Sequence, residues 1–166
     1  MLHKMLTQLD SLIGFDVASA HCDIPCKIYD PATAQLNALT VIRLFDLIDE
    51  LAQKESLTIA DQAQLARLVM QKEEHALKVK QDVVVIWGDY FKQPQFEQIA
   101  NAHDLVHSIM LQASKCKQGI ARENGVALLN LVNEFAAAFW KTKGVETFNA
   151  ECPYPPSEIV TYPKLG

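Results

Sequence analysis

Between residues 21 and 31 the chain reads His21-Cys22-Asp23-Ile24-Pro25-Cys26-Lys27-Ile28-Tyr29-Asp30-Pro31. A histidine joined directly to a cysteine, with a second cysteine four residues on, collects nitrogen and thiolate donors in one short stretch. That composition points to metal binding or thiol redox chemistry. Just ahead, Ala18-Ser19-Ala20 has the small-residue spacing of a processing site. Cleavage after Ala20 would give His21 a free α-amine, a group with an ordinary pKa near ~8 that yields its proton to a competing metal. The amine and the Cys22 amide nitrogen would close one five-membered chelate ring, and that amide with the Cys22 sulfur a second. Cys26 would supply a fourth in-plane donor. Pro25 has no amide hydrogen and favours an extended Ile24, which helps turn the second thiolate toward the first.

Two nitrogens and two thiolates in a plane, with the His21 imidazole available axially, suit a tetragonal nickel or copper ion better than tetrahedral zinc, and imply redox work. Two other readings of the same residues stay open. One is a nickel- or copper-binding storage or delivery protein that holds the metal without turnover; the other is a thiol redox protein using Cys22 and Cys26 as a reversible pair. The remaining cysteines, Cys116 and Cys152, stand alone and read as buried thiols packing like small hydrophobes. His103 and His107 share a helical face at i, i+4 but have no further ligand nearby in sequence, so they read as surface or packing residues.

Composition narrows the class. With 166 residues the chain suits one domain, and 49% hydrophobic against 21% charged residues is the balance of a folded core. A net charge of −5 argues against nucleic acid or an anionic membrane as partner, and the longest apolar runs fall far short of the ~20 residues of a membrane span. Residues 1–20 lack the apolar centre of an export signal, since Gln8, Asp10, Ser11 and Asp16 interrupt it. They read as a propeptide removed in the cytoplasm, followed by a domain over 21–150 and a proline-rich tail over 151–166.

The elements that must carry the cluster follow from proline placement. Blocks 32–93 and 95–152 contain no proline and permit long helices. Asp30-Pro31 reads as the start of a first helix, with an apolar stripe through Leu36, Leu39, Ile42, Phe45, Ile48 and Leu51. Ser56 or Thr58 caps a second helix, striped by Ile59, Ala63, Ala66, Met70, Leu77 and Val84 and ending near Gly88. The β-branched run Val83-Val84-Val85-Ile86 is kept helical because no partner strand is evident. A third helix follows Pro94 through Phe96, Ile99, His103, Val106, Met110 and Ala113, with a turn over Lys115 to Gly119. A fourth uses Leu128, Leu131, Val132, Phe135, Phe139 and Trp140, with Gly144 as terminator. Short connectors make this an all-α, up-down-up-down four-helix bundle with an N-terminal metal-binding hook and an extended C-terminal tail.

The segment from His21 to Pro31 resembles the metal hook of the nickel-dependent superoxide dismutase family, matching at His21, Cys22, Asp23, Pro25, Cys26, Tyr29, Asp30 and Pro31, with Lys27 where a glycine is usual. Trp87-Gly88-Asp89-Tyr90-Phe91-Lys92 is similar to the family's W-S-D-Y-F-K, and Phe139-Trp140-Lys141-Thr142-Lys143 gives a weaker third match. The resemblance implies a right-handed four-helix bundle assembled as a homohexamer, with one nickel ion per subunit cycling between Ni(II) and Ni(III) as superoxide is converted to dioxygen and hydrogen peroxide. It implies ligation by the His21 amine and imidazole, the Cys22 amide and sulfur, and the Cys26 sulfur. Tyr29 and Tyr90 then restrict access and order water beside the metal, and Asp23 and Pro25 shape the hook. Lys27 and Lys92, with Lys80 as a weaker candidate, steer the anionic substrate. A maturation protease and a nickel chaperone are the implied partners.

The family's glutamate that holds the axial imidazole corresponds here to Asn37, and the arginine bracing it to His75. A charged pair has become neutral or switchable, and Asn37 with His75 is expected to orient His21 with an altered pH dependence.

Overall fold

The structure is a computed structural model that describes residues 27–166. The expected propeptide over residues 1–20 and the expected hook residues His21, Cys22, Asp23, Pro25 and Cys26 lie outside the described residues. After an irregular segment, helix α1 runs Ala32–Ala52 and α2 runs Ile59–Val85, continuing into a π-helical turn over Ile86–Tyr90. A short α3 (Gln93–Gln98) precedes α4 (Ala102–Gln118) and α5 (Arg122–Thr142). Strands β1 (Thr147–Glu151) and β2 (Ile159–Pro163) close the chain.

Local chemistry sets these boundaries. Asp30 Oδ1 accepts the Ala32 amide at 2.8 Å, so the Asp30-Pro31 pair opens α1 as its sequence suggests. Thr58 and Asp61 form a reciprocal capping box at the start of α2. A hydrogen bond from Lys54, reinforced by those from Thr58, holds the Asp61 carboxyl down at about 2. Gly144, at φ +71°, turns the chain away from α5 in the left-handed region glycine tolerates.

The four long helices form an up-down-up-down bundle in which every packed neighbour is antiparallel. Asn37 of α1 meets Asp82 of α2, Lys80 of α2 meets Ser114 of α4, Gln112 of α4 meets Asn124 of α5, and Gln35 of α1 meets Asn133 of α5. The core between them is built on Ala38, Ile42, Phe45, Val79, Val83, Ile109, Leu128, Val132 and Phe135.

Three sequence expectations change. The stripe assigned to α2 faces outward: Ile59, Met70, Leu77 and Val84 are 86%, 58%, 42% and 42% exposed. The buried face of α2 is carried instead by Lys72, Ala76, Val79 and Val83. Lys72 misleads a hydropathy reading because its ammonium donates to the Lys117 and Gly119 carbonyls, at 2.6 and 2.9 Å, at the end of α4. In α1, Leu36 is exposed, because a three-residue spacing drifts around a helix of ~3.6 residues per turn. The expected third helix is broken at Ile99–Asn101 and restarts with Ala102, so Ala102, Leu105 and Ile109 point inward while His103 does not. Its helical conformation also extends through the expected turn as far as Gln118.

The proline-rich tail is extended and also paired. β1 and β2 form an antiparallel hairpin with Asn149 opposite Thr161. A buried amide network docks it: Gln35 Nε2 donates to the Asn133 side chain at 3.0 Å and to the Thr161 carbonyl at 2.8 Å, while Asn133 Nδ2 donates to the Ile159 carbonyl at 2.8 Å. Arg122 bridges Asp46 and Glu158 at 2.6 and 2.8 Å, joining α5 to α1 and to the hairpin.

Gly125 marks the closest approach of α5 to α1: a Cβ there would lie 2.9 Å from Ile42 Cγ1 and 3.1 Å from Phe45 Cδ2. Both neighbours are fully packed, so Gly125→Ala should destabilise the fold by about 1–3 kcal/mol. Urea unfolding checks this, and an unchanged midpoint would contradict it.

Candidate functional site

The described chain begins at Lys27, one residue after Cys26, so its first residues are those that directly follow the expected hook. Lys27 takes φ +57°. That left-handed conformation costs a side-chain-bearing residue about 1–2 kcal/mol and is free to glycine, which accounts for the glycine usual in the resembling family. Two residues on, the Tyr29 ring packs on Tyr90, centroids 5.7 Å apart. The segment, α2 and the start of the π-turn enclose a cavity of about 310 Å³ lined by Tyr29, Asp30, Thr33, Asp82, Val85 and Ile86, with Ile28 at its edge.

Tyr90 is held on several sides. Phe139 and Phe91 lie 4.8 and 5.5 Å away between ring centroids, and the Lys143 ammonium sits 4.8 Å from the Tyr90 centroid. Its hydroxyl is 2.8 Å from Thr142 Oγ1. The π-turn positions it: the Phe91 amide donates to the Ile86 carbonyl, widening the last turn of α2. A Cβ added at Gly88, within that turn, would meet nothing inside 4 Å, so the serine of the family motif would fit equally well.

Asn37 and His75 are brought together, with a third residue that sequence spacing did not single out. Asn37 Nδ2 donates to Asp82 Oδ2 at 2.8 Å, and His75 Nδ1 lies 2.7 Å from Asn37 Oδ1. With the amide nitrogen committed to the carboxylate, the amide oxygen accepts from the imidazole Nδ1–H. Burial lowers the His75 pKa, Lys78 adds to the lowering, and Glu74 opposes it. Asp82 lies seven residues after His75, two turns along the same face of α2, and that spacing was the available signal.

The lysines divide. Lys92 Nζ donates to the Gly88 carbonyl at 3.0 Å, beside the π-turn, whereas Lys80 donates to Ser114 at 2.7 Å, on the α4 side of the bundle. Lys143 joins the aromatic group, although in sequence it stands out only as part of a motif. His103 is engaged in packing: Trp87 Nε1 donates to its Nδ1 at 3.1 Å and Phe96 stacks on it at 4.3 Å. Cys116 is fully buried, with its thiol pushed up to about 11 by that burial, and Cys152 is 2% exposed. Among the described residues no three histidine, cysteine or acidic side chains gather as a metal site.

A family model for nickel-containing superoxide dismutase matches residues 16–143, a span that includes the hook segment and ends before the hairpin. The nickel superoxide dismutase of Streptomyces coelicolor is 34% identical over 125 residues, covering 75% of this chain and 89% of that protein. That of Streptomyces seoulensis is 33% identical over the same length and coverage. A native nickel superoxide dismutase structure superimposes with a TM-score of 0.64 at 32% identity, covering 74% of this chain and 99% of the other. An apo structure of nickel superoxide dismutase gives 0.63 at 28% identity, covering 70% and 98%. The bundle and its leading His-Cys-x-x-x-Cys segment therefore belong to the nickel-containing superoxide dismutase family, and the chain is a nickel-dependent oxidoreductase acting on superoxide.

Proposed function

We propose that the enzyme dismutes superoxide at a hook formed by His21, Cys22 and Cys26 once residues 1–20 have been removed as a propeptide. The observation that carries this reading is the Tyr29–Tyr90 contact: it fixes the chain to the bundle three residues after Cys26, which ties the segment that follows the donors to the aromatic edge. The donor set fits nickel, since an amine, a deprotonated amide and two thiolates favour a tetragonal ion and its higher oxidation state. When bound, nickel supplies one-electron chemistry, cycling between Ni(II) and Ni(III). The residues around it bind, exclude and orient. Tyr29 and Tyr90 narrow the approach and order water for proton uptake, Asp23 and Pro25 hold the turn of the hook, and Lys27 and Lys92 draw the anion toward an acidic molecule. The storage or delivery reading and the Cys22/Cys26 thiol-redox reading find no such support. Processing by a maturation protease, loading by a nickel chaperone and a cytoplasmic location complete the proposal.

Mass spectrometry of the mature protein should find His21 as first residue and one nickel per chain. Chelating the nickel, or leaving a single residue ahead of His21, should abolish superoxide turnover. Mature protein beginning upstream, or turnover indifferent to nickel, would overturn the assignment.

Asn37 orients the His21 imidazole, held in turn by Asp82 and His75. Because burial favours neutral His75, acidification below the ordinary histidine range and through its lowered pKa charges it against that preference. Stability present above that range is lost as pH falls through it. The activity of the unmodified enzyme should therefore decline on the acid side, and His75→Ala should lose that limb. A pH–rate profile identical in the two proteins would count against the role.

The enzyme assembles as a homohexamer. What supports this is the outward row Met70, Leu77 and Val84 on α2, each seven residues from the next, an apolar seam of the kind two helices share. Leu77→Glu should reduce the assembly to smaller species in light scattering after size exclusion; an unaltered mass would exclude this seam.

A further inference from the structure

Thr142 closes α5 beside Tyr90, and its hydrogen bonds have a fixed direction. The threonine hydroxyl carries a single proton, and Oγ1 donates it to the Phe139 carbonyl at 2.7 Å, one turn back along the helix. The same oxygen lies 2.8 Å from the Tyr90 hydroxyl. Having no second proton, Thr142 accepts there, and Tyr90 donates. The chain of bonds therefore runs from Tyr90 to Thr142 to a backbone carbonyl, which has no proton to return.

We propose that Thr142 is a positioning residue that holds the Tyr90 hydroxyl as a donor into the protein, so that the phenol oxygen meets the substrate side as an acceptor only. This rests on the reading above that Tyr90 stands beside the hook. An acceptor oxygen takes a hydrogen bond from water or from neutral hydrogen peroxide. It offers none to superoxide or hydroperoxide, whose negative charge would otherwise gain a charge-assisted bond from a free phenol. Tyr90 thus orders the proton-bearing molecules and does not retain the anions. Lys143, with its ammonium 4.8 Å from the Tyr90 centroid and 5.2 Å from that of Phe139, helps keep the ring over the end of α5 while the hydroxyl is turned to Thr142.

The test uses processed, nickel-loaded enzyme with azide as the small-anion probe. Thr142→Ala releases the Tyr90 proton, and azide inhibition should tighten roughly tenfold, the worth of one charge-assisted hydrogen bond. Thr142→Ser should behave as the unmodified enzyme, and the Tyr90→Phe/Thr142→Ala double variant should show no tightening. Independently of activity, the Raman tyrosine doublet, taken as the difference from Tyr90→Phe, should report a donating phenol in the unmodified protein and in Thr142→Ser, and lose that character in Thr142→Ala. An accepting phenol in the unmodified protein overturns the proposal even if Thr142→Ala does not fold, as does tightening that persists without the Tyr90 hydroxyl. A doublet that changes while azide affinity does not would keep the hydrogen-bond direction and remove Tyr90 from the substrate side, overturning the placement on which the proposal rests.

Discussion

The hydrogen bond from the Phe91 amide to the Ile86 carbonyl closes a turn one residue wider than an α-helix, and the arrangement of the aromatic site depends on it. In an α-helix two residues five apart point about 140° away from each other. Here Ile86 and Phe91 are both buried, at 4% and 2% exposure. The widened turn lets the end of α2 keep both in the core, and Tyr90 is left at the rim, where Phe139, Tyr29 and the last residues of α5 converge. A wide turn has weaker internal packing, and the T-shaped contact of Trp87 with His103 braces it from outside.

The polar group on the other side of the first helix solves a different problem. An arginine–glutamate pair taken partly out of water loses hydration on both ions. The Asp82–Asn37–His75 chain keeps one carboxylate and transmits its orientation through a neutral amide, so only one formal charge is desolvated when His75 is neutral. The amide cannot rotate without setting its nitrogen against the imidazole N–H and its oxygen against the carboxylate. Two hydrogen bonds thus fix the direction in which the amide points.

Much of this was legible in the sequence because capping chemistry and proline placement act locally. Asp30-Pro31 and Thr58 open their helices, and Gly144 ends the last one, by interactions within a few residues. The family was legible for the same reason, the motif from His21 to Pro31 that carries the resemblance being contiguous. What sequence did not disclose is long-range. Lys72 is inside because distant carbonyls of α4 receive it, which reverses the apparent inner face of α2. The break at Ile99–Asn101 is hidden because the apolar spacing runs through it almost in phase. The tail reads as extended from its prolines, yet its pairing rests on Gln35 and Asn133, amides that look like surface residues until the strand covers them. Asp82 and Thr142 were overlooked because each acts through a partner on another element.

Helix α5 is fastened at opposite ends by unlike means. Near its beginning Arg122 grips Asp46 and Glu158, and midway Asn133 is stitched to the hairpin; at its close Thr142 and Lys143 hold Tyr90. A rod pinned in this way can neither slide nor rotate about its own axis without breaking several of these attachments together. The bundle wall behind the aromatic rim therefore behaves as an anvil, and any change that moves the Tyr90 ring must first undo a fastening on α5 rather than merely bend a loop.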